Sequence, residues 1–470
     1  MAANLRKWPL IVQATNRSES FSKDARLVNC YAEQDPNTGE YVVEKRIGTT
    51  FGYTQANGTL GRGCYPWAST LTASIYNYNI YSTGSTCYLY QDTTAIGNFP
   101  GNVSEGLSQW AETQGATRYL VFSHILGVHY TDGASLFSPS ITTTGEIVGV
   151  TYLDGTVYVL DQGNNIWGSN IDDPSTWNAL NVVVARAVSG TGIGMAQQLN
   201  YVIALKSNSM EVFYDAGNAV GSPLSPLAGA TTNFGCVSKD TIQTIDNVVF
   251  YVTSNKTASP QVVRVDNLVP TIISYPAIER LLDPALGGKW LSFTFKHGGH
   301  RFYGVTSVYV NLTLVYDIDQ RLWYQWTDPN GNYFPYSGTS ISGGYAHLLQ
   351  GASNGTVYSF DTDNVHSTDN GVVVPVDIYT PNMDFGTRRN KTLTRMYLNA
   401  DQVPGSQLQI SHSDDDYQTW SRPRIRSLAN KTPYIDDEGT FTKRAYHFRH
   451  ARATPFRMRS SDLQMLLGTI

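Results

Sequence analysis

Charge is scarce in this chain. Lys, Arg, Asp and Glu make up 15% of the 470 residues, against roughly 25% in an average soluble protein. With a formal net charge of −5, the balance argues for neither a nucleic-acid nor an anionic-membrane partner. Cysteine is rarer still. Cys30, Cys64, Cys87 and Cys236 are widely spaced and form no Cys-x-x-Cys pair, which argues against a disulfide framework or a cysteine zinc site and leaves reduced thiols as the expectation. No run approaches the ~18 apolar residues of a membrane span. The opening Met1-Ala-Ala-Asn-Leu-Arg-Lys-Trp-Pro9 lacks the apolar core of ~7–15 residues found in a secretory signal. No stable membrane insertion is therefore expected. Helical periodicity is nearly missing too. The best candidate is Pro276-Ala-Ile-Glu-Arg-Leu-Leu-Asp283, in which Ile278, Leu281 and Leu282 share one face.

What the chain has in quantity is Tyr (30) and Gly (41), with hydrophobics at 41% and aromatics at 12%. That mixture excludes wholesale disorder and suits half-buried strands joined by tight turns. Runs of four to eight Val, Ile, Tyr, Phe and Thr residues, bounded by Gly, Asn, Asp or Pro, fill most of the sequence. They recur with a common ending, an aromatic or aliphatic strand followed at once or one residue later by Asp. The series is Asp92, Asp132, Asp161, Asp215, Asp266, Asp317 and Asp361, with separations of 40, 29, 54, 51, 51 and 44 residues. A mean near ~45 is the length of a four-stranded propeller blade. Such a blade cannot bury both faces alone, so neighbours stack around an axis. The expectation is an all-β fold, a β-propeller of about six or seven blades with an additional C-terminal β domain. An array of β-sandwiches is the alternative.

Composition shifts near Gly386. From there to the end the chain carries +6, and the preceding 385 residues carry −11. The expected division is an N-terminal segment with the first strands (1–72), the propeller (73–385) and a basic C-terminal β domain (386–470). In the last part, the alternation of Phe456, Arg457, Met458 and Arg459 places apolar side chains on one face and arginines on the other.

Catalytic constellations are weak. Ser413-Asp-Asp-Asp-Tyr-Gln-Thr-Trp420 looks like a degenerate Asp box, the Ser-x-Asp-x-Gly-x-x-Trp hairpin of sialidase-like proteins. Ser413, Asp415 and Trp420 match it and Tyr417 stands where Gly is expected. The motif is a turn-and-staple device and performs no chemistry. Glycoside hydrolysis needs two carboxylates ~5–9.5 Å apart, and Asp172-Asp173 or Asp436-Asp437-Glu438 read better as polar turns. His297-Gly-Gly-His300 has no third ligand at metal spacing, and Gly190-Thr-Gly-Ile-Gly194 lacks the Gly-Lys-Ser/Thr ending of a phosphate loop. No catalytic, cofactor or metal residue is assigned.

Several segments resemble one family, the packaged-DNA stabilisation proteins or tail hubs of short-tailed bacteriophages. Asp24-Ala-Arg-Leu-Val-Asn-Cys-Tyr31 with Lys45-Arg-Ile-Gly48 is similar to the family's opening. Met195 through Asp215, with Lys206-Ser-Asn-Ser-Met-Glu211 at its turn, resembles one blade. Phe234 to Ser238, Val262 to Val265 and Ile278 to Leu282 resemble the next blade and its short helix, and Leu314-Val-Tyr-Asp317 with Trp323 resembles a further strand. The resemblance implies a non-enzymatic virion protein assembled in the host cytoplasm. It would form a homo-hexameric ring below the portal-adaptor ring, be closed by a tail needle or plug, carry tail fibres or spikes, and lie near phage DNA without base-specific binding. The Asp-box-like hairpin and the basic C-terminal region depart from the family pattern. Arg422, Arg424 and Arg426 are the candidate interface with an acidic neighbour. A carbohydrate-binding or glycan-hydrolysing β-propeller is the alternative function.

Overall fold

The structure, a computed structural model, describes residues 4–8, 10, 25–54, 60–71, 74–101, 106–254, 260–285, 287–338, 348–360 and 368–468. Among them lie seven four-stranded antiparallel blades. Blade one runs Leu60–Ala68, Ile75–Thr83, Thr86–Gln91 and Thr94–Pro100. Blade two is Gln109–Glu112, Leu120–His124, Gly127–Thr131 and Leu136–Phe137, and blade three is Ile147–Leu153, Thr156–Asp161, Asn165–Asn170 and Asp173–Val184. Blade four holds Gly192–Gln198, Tyr201–Lys206, Met210–Asp215 and Leu224–Pro226, and blade five holds Gln243–Ile245, Val248–Thr253, Gln261–Asp266 and Val269–Ile272. Blade six is Trp290–His297, His300–Ser307, Leu312–Asp317 and Leu322–Gln325. Blade seven takes three strands in order, Tyr336–Ser337, Leu348–Gly351 and Val357–Phe360, and its fourth from Thr49–Tyr53, ahead of blade one.

That borrowed strand closes the ring, because blade seven is bolted to blade one. Gln350 accepts from the Gly63 amide at 2.7 Å and donates to the Ile80 carbonyl at 3.0 Å. Gln198 does the same work between blades four and five, and Gln243 between five and six. Six of the gaps between neighbouring blades hold their own apolar clusters, and the gap between blades six and seven opens into the core of the sandwich. Trp67, Tyr78 and Phe122 fill the gap between blades one and two, and Cys64, Tyr81 and Leu348 fill the one between seven and one. A sheet with apolar residues on both faces needs a neighbour on each side, and a closed ring is how seven such sheets all obtain one. All four cysteines are buried free thiols.

The aspartate repeat has a structural meaning, with one correction. Asp92, Asp132, Asp215, Asp266 and Asp317 end or follow the third strand of their blades, while Asp361 lies outside the described residues. Asp161 instead ends the second strand of blade three. The true counterpart there is Asp172, which follows the third strand at φ +54°. With Asp172 in the series, the irregular steps of 29 and 54 become 40 and 43. Asp161 mimics it in the sequence because it too closes a strand. Buried, it collects hydrogen bonds from the Asn165 amide, the Thr144 hydroxyl and the Trp167 indole at 2.9–3.0 Å.

Among the described residues, helix is confined to Pro276–Leu282, with Ile278, Leu281 and Leu282 buried, and two short 3-10 turns. No helix among the described residues is long and apolar enough to cross a membrane.

Hydrogen bonding crosses both expected chain divisions. Strands Thr49–Tyr53 and Leu60–Ala68 belong to the propeller although they precede residue 73. Beyond blade six, its sheet continues through Arg26–Val28, Val376–Tyr379, Ala445–His450, Gln407–Ser413 and Arg424–Ser427, nine strands in all. A second, six-stranded sheet joins Cys30–Gln34, Tyr41–Lys45, Arg457–Leu467, Lys391–Ala400 and Tyr434–Phe441, with Asn4–Trp8 paired to Arg457–Leu467. The two sheets share a core that includes Trp8, Met396, Ile410, Phe448 and Met458. The basic region is thus half of a β-sandwich completed by N-terminal strands and fused edge-on to the propeller. Charge composition located the basic region, but charge carries no information about which strands pair.

Candidate functional site: the propeller axis, the sandwich hairpin and the joint

The inner strands of blades one to five surround a cavity of about 740 Å³. One wall is the stacked pair Tyr65 and Trp110, 5.7 Å between ring centroids. Near one end the Asp240 carboxylate accepts the Leu107 amide at 2.7 Å. Burial raises Asp240, against the charges of Lys239, Lys289 and Arg62. Glu112, also raised by burial, accepts the Tyr65 hydroxyl at 2.8 Å. Glu112 ends the strand Gln109–Glu112, and Asp154 is a third carboxylate in the lining. The axis therefore offers an aromatic-walled cavity that carries carboxylates.

The metal-like and phosphate-like motifs find structural places. His297 and His300 face each other across a two-glycine hairpin turn. His300 is buried and bonded to Asp317 at 2.7 Å. Burial alone would lower its imidazole, but the Asp317 carboxylate outweighs it and raises it above 6.5. Gly190 to Gly194 leads into an inner strand of blade four. Asp172 sits in the turn before the outer strand of blade three and Asp173 begins that strand, where it accepts the Ser175 amide at 2.9 Å. Among the described residues no group of three metal donors converges.

At the sandwich hairpin, Asp415 accepts the Ser413 hydroxyl at 2.8 Å, the Thr419 amide at 2.9 Å and the Thr419 hydroxyl at 2.6 Å. These bonds, with Thr419 foremost, pull its carboxyl down to about 2. Trp420 packs edge-on against Tyr379, Tyr417 and His447. Tyr417 adopts φ +65°, the left-handed conformation that favours the motif's glycine. It is held there by a buried ring and by a 2.7 Å bond from its hydroxyl to the Thr380 carbonyl. Relief of the strained φ is worth ~1 kcal/mol, whereas deleting a buried aromatic costs ~3–5 kcal/mol. Tyr417→Gly is therefore expected to lower stability by about 2 kcal/mol or more in a denaturant melt. A stabilised variant would mean that backbone strain dominates the turn.

The three arginines after the hairpin have different fates. Arg422 is exposed. Arg424 donates to the Asp436 carbonyl at 2.6 Å and to Glu438 at 2.8 Å, and Arg426 donates to the Tyr434 carbonyl at 2.9 Å. Both reach from one sheet of the sandwich to the edge of the other. Burial would raise Glu438, but His412 and the charges of Arg424 and Arg444 outweigh it and hold the carboxyl low.

A buried polar cluster that no sequence motif marks lies at the joint. Asn29 (φ +55°) donates to the Thr327 hydroxyl at 2.8 Å and to the Pro375 carbonyl at 3.0 Å, and accepts the Thr327 amide at 2.8 Å. Its carbonyl oxygen also takes the Arg46 Nε at 3.1 Å. The Arg46 guanidinium, fully buried, then forks onto both oxygens of Asp369 at 3.0 and 2.5 Å and onto the Thr327 carbonyl at 3.0 Å. Four chain segments meet there. Next to it, Gly48 passes so close to the Thr368 carbonyl that a Cβ would lie 2.1 Å from its oxygen. A sequence signal did exist, since Asn29, Arg46 and Gly48 all lie in the segments that carried the family resemblance.

Among solved structures, U3-55K aligns at 9% identity over 67% of this chain and 97% of its own, with a TM-score of 0.42. YCF48 from Cyanidioschyzon merolae aligns at 12% identity over 67% of this chain and 99% of its own, with a TM-score of 0.41. A search of curated protein sequences returns no match. The model of the phage-stabilisation family, described as the bacteriophage P22 Gp10 β-propeller, matches residues 69–363. On that match, which spans most of the seven blades, the chain belongs to the phage-stabilisation family of the bacteriophage P22 Gp10 β-propeller.

Proposed function

We propose that this phage structural protein is a non-enzymatic tail-hub component that retains packaged DNA below the portal-adaptor ring and forms part of the ejection channel as a hexamer. Beyond family membership, the observation that carries this reading is the fusion of propeller and sandwich. The nine-stranded sheet runs from blade six into the sandwich, with the Asn29–Arg46–Asp369 cluster locking the junction. A ring that holds pressurised DNA needs subunits without a hinge, and a continuous hydrogen-bonded sheet supplies that stiffness. The charge polarity is compatible with the role. Each neutralised phosphate adds salt-dependent affinity and would oppose sliding, so −11 over the first 385 residues suits a passive conduit. The basic half of the sandwich is left to dock acidic tail partners.

The test is reconstitution. Light scattering of the purified chain, alone and with a portal-adaptor ring, is expected to yield a sixfold complex, and particles lacking the chain are expected to lose packaged DNA. Intact DNA retention without it would overturn the reading. Arg422→Glu is expected to impair attachment of tail partners while leaving the melting curve unchanged. Arg424→Glu sets a second carboxylate against buried Glu438 and is expected to lower fold stability by roughly 2–3 kcal/mol. Assembly of Arg422→Glu at normal yield would remove the basic face from the interface.

A further inference from the structure

We propose that the outward face of the six-stranded sandwich sheet is a saccharide-binding site. This inference is independent of the tail-hub reading. It rests on strand register. Lys7 pairs with Asp462, Asp462 with Tyr397, and Tyr397 with Tyr434, so four side chains form one row across four strands, at steps of ~5 Å. Side chains directly opposite each other share a face of the sheet. The neighbouring row carries Asn399 opposite Ser460.

The rows floor a cavity of about 590 Å³, within the ~300–1,000 Å³ typical of small-molecule sites. Its chemistry is that of a polyol site. Asn399 is oriented by donating to Ser460 Oγ at 2.8 Å and to Asp462 Oδ2 at 2.9 Å, which leaves its carbonyl oxygen as an acceptor. Lys7, Lys431 and Arg459 are balanced by Glu40, Asp401 and Asp462 in the lining. The lining thus offers both donors and acceptors with no excess of either sign. A phosphate or fatty-acid site would show a cationic surplus or a continuous apolar wall. Vicinal hydroxyls, each both donor and acceptor, match such a lining.

Tyr397 supplies the remaining element, a half-buried ring against which the apolar face of a pyranose can stack. Its neighbour Tyr434, 6.3 Å away, is covered by the Arg395 guanidinium at 4.3 Å, which in turn is held by Asp436. The same guanidinium lies 5.8 Å from the Tyr397 ring, and of the two tyrosines it is Tyr397 that lines the cavity. Strand Asn4–Trp8 brings Lys7 to the rim beside its ion-pair partner Glu40, so the site exists only when N-terminal and C-terminal strands share the sheet.

The full-length protein is to be titrated by calorimetry and saturation-transfer NMR with glucose, N-acetylglucosamine and galactose, and with a hexasaccharide of each. One series is expected to bind at ~1 mM or tighter. A gain from monosaccharide to hexasaccharide would assign the site to a polymer, and equal affinities would assign it to a chain end or free sugar. Tyr397→Ala and Asn399→Ala are each expected to weaken binding at least tenfold with unchanged melting curves. Tyr397→Phe, which keeps the ring, and Glu112→Gln, in the propeller cavity, should both retain it. Absence of binding by every sugar at 10 mM, undiminished binding by the Tyr397→Ala and Asn399→Ala variants, or displacement of the sugar by inorganic phosphate would overturn the proposal.

Discussion

Asp369→Ala is expected to destabilise the protein by about 3–5 kcal/mol, the cost of leaving a buried charge without its partner. The Arg46 guanidinium has no exposure and would keep only neutral acceptors, the carbonyls of Ile47 and Thr327 and the Asn29 amide oxygen. Asp369 also accepts the Thr49 amide at 3.2 Å and the Thr49 hydroxyl at 3.3 Å. Thr49 begins the borrowed outer strand of blade seven, so the same carboxylate serves the joint and the ring closure. Guanidinium titration followed by tryptophan fluorescence provides the measurement, since the Trp326 ring lies 5.4 Å from the Arg46 guanidinium carbon. Loss of the carboxylate is expected to move the whole transition to lower denaturant, with propeller and sandwich unfolding together. The double variant Arg46→Met with Asp369→Leu is expected to regain part of the loss, because two apolar side chains leave no orphaned charge. A shift below 1 kcal/mol for the single variant would mean that water reaches the cluster and the joint is looser than its hydrogen bonds imply.

Acid is expected to weaken the sandwich through His450. Its imidazole is fully buried, and burial, followed by the nearby charges of Lys45 and Arg452, pushes it from 6.5 down to about 3. Nε2 meets the Ser406 and Thr454 hydroxyls at 3.0 and 3.1 Å, while Nδ1 has no hydrogen-bond partner among the described residues. A neutral ring fits that environment, whereas an imidazolium would have an unmet donor. Between pH 6.5 and about 3 the unfolded chain therefore binds a proton that the folded chain refuses. By linkage, the stability present above pH 6.5 is lost as the pH falls through that window. At ~1.4 kcal/mol per pH unit the full effect is on the order of 5 kcal/mol. His450→Gln is expected to flatten the acid limb of a stability–pH curve relative to wild type. An unchanged slope between pH 6 and 4 would show that the ring is protonated in the folded protein.

Much of the architecture was legible before any strand was placed. Period-two runs ending in Asp at ~45-residue spacing specify blades because the pattern is local, with each strand, its turn residue and its apolar face lying within a few positions of one another. The helix at Pro276 was visible for the same reason. What misled was also local. Asp161 and Asp172 both close strands in blade three, and only the pairing of Tyr158 with Gly168 shows that the first lies one hairpin too early. The Asp-box-like hairpin was readable as a turn, but the fitness of Tyr417 at a left-handed position depended on Thr380, 37 residues away.

By itself the chain's composition and repeat determined an all-β ring of stacked sheets with a basic end, since burial of alternating apolar faces is dictated by residue order. Tertiary structure decided that seven blades close through a strand from the N-terminus. It also decided that the basic end is half a sandwich sharing a sheet with blade six, and that Asn29, Arg46 and Asp369 meet at all. Those outcomes rest on hydrogen bonds between residues as far as 407 positions apart or more. The strength of a buried polar contact depends on which groups converge in space, and the spacing of those groups along the chain leaves that convergence unspecified.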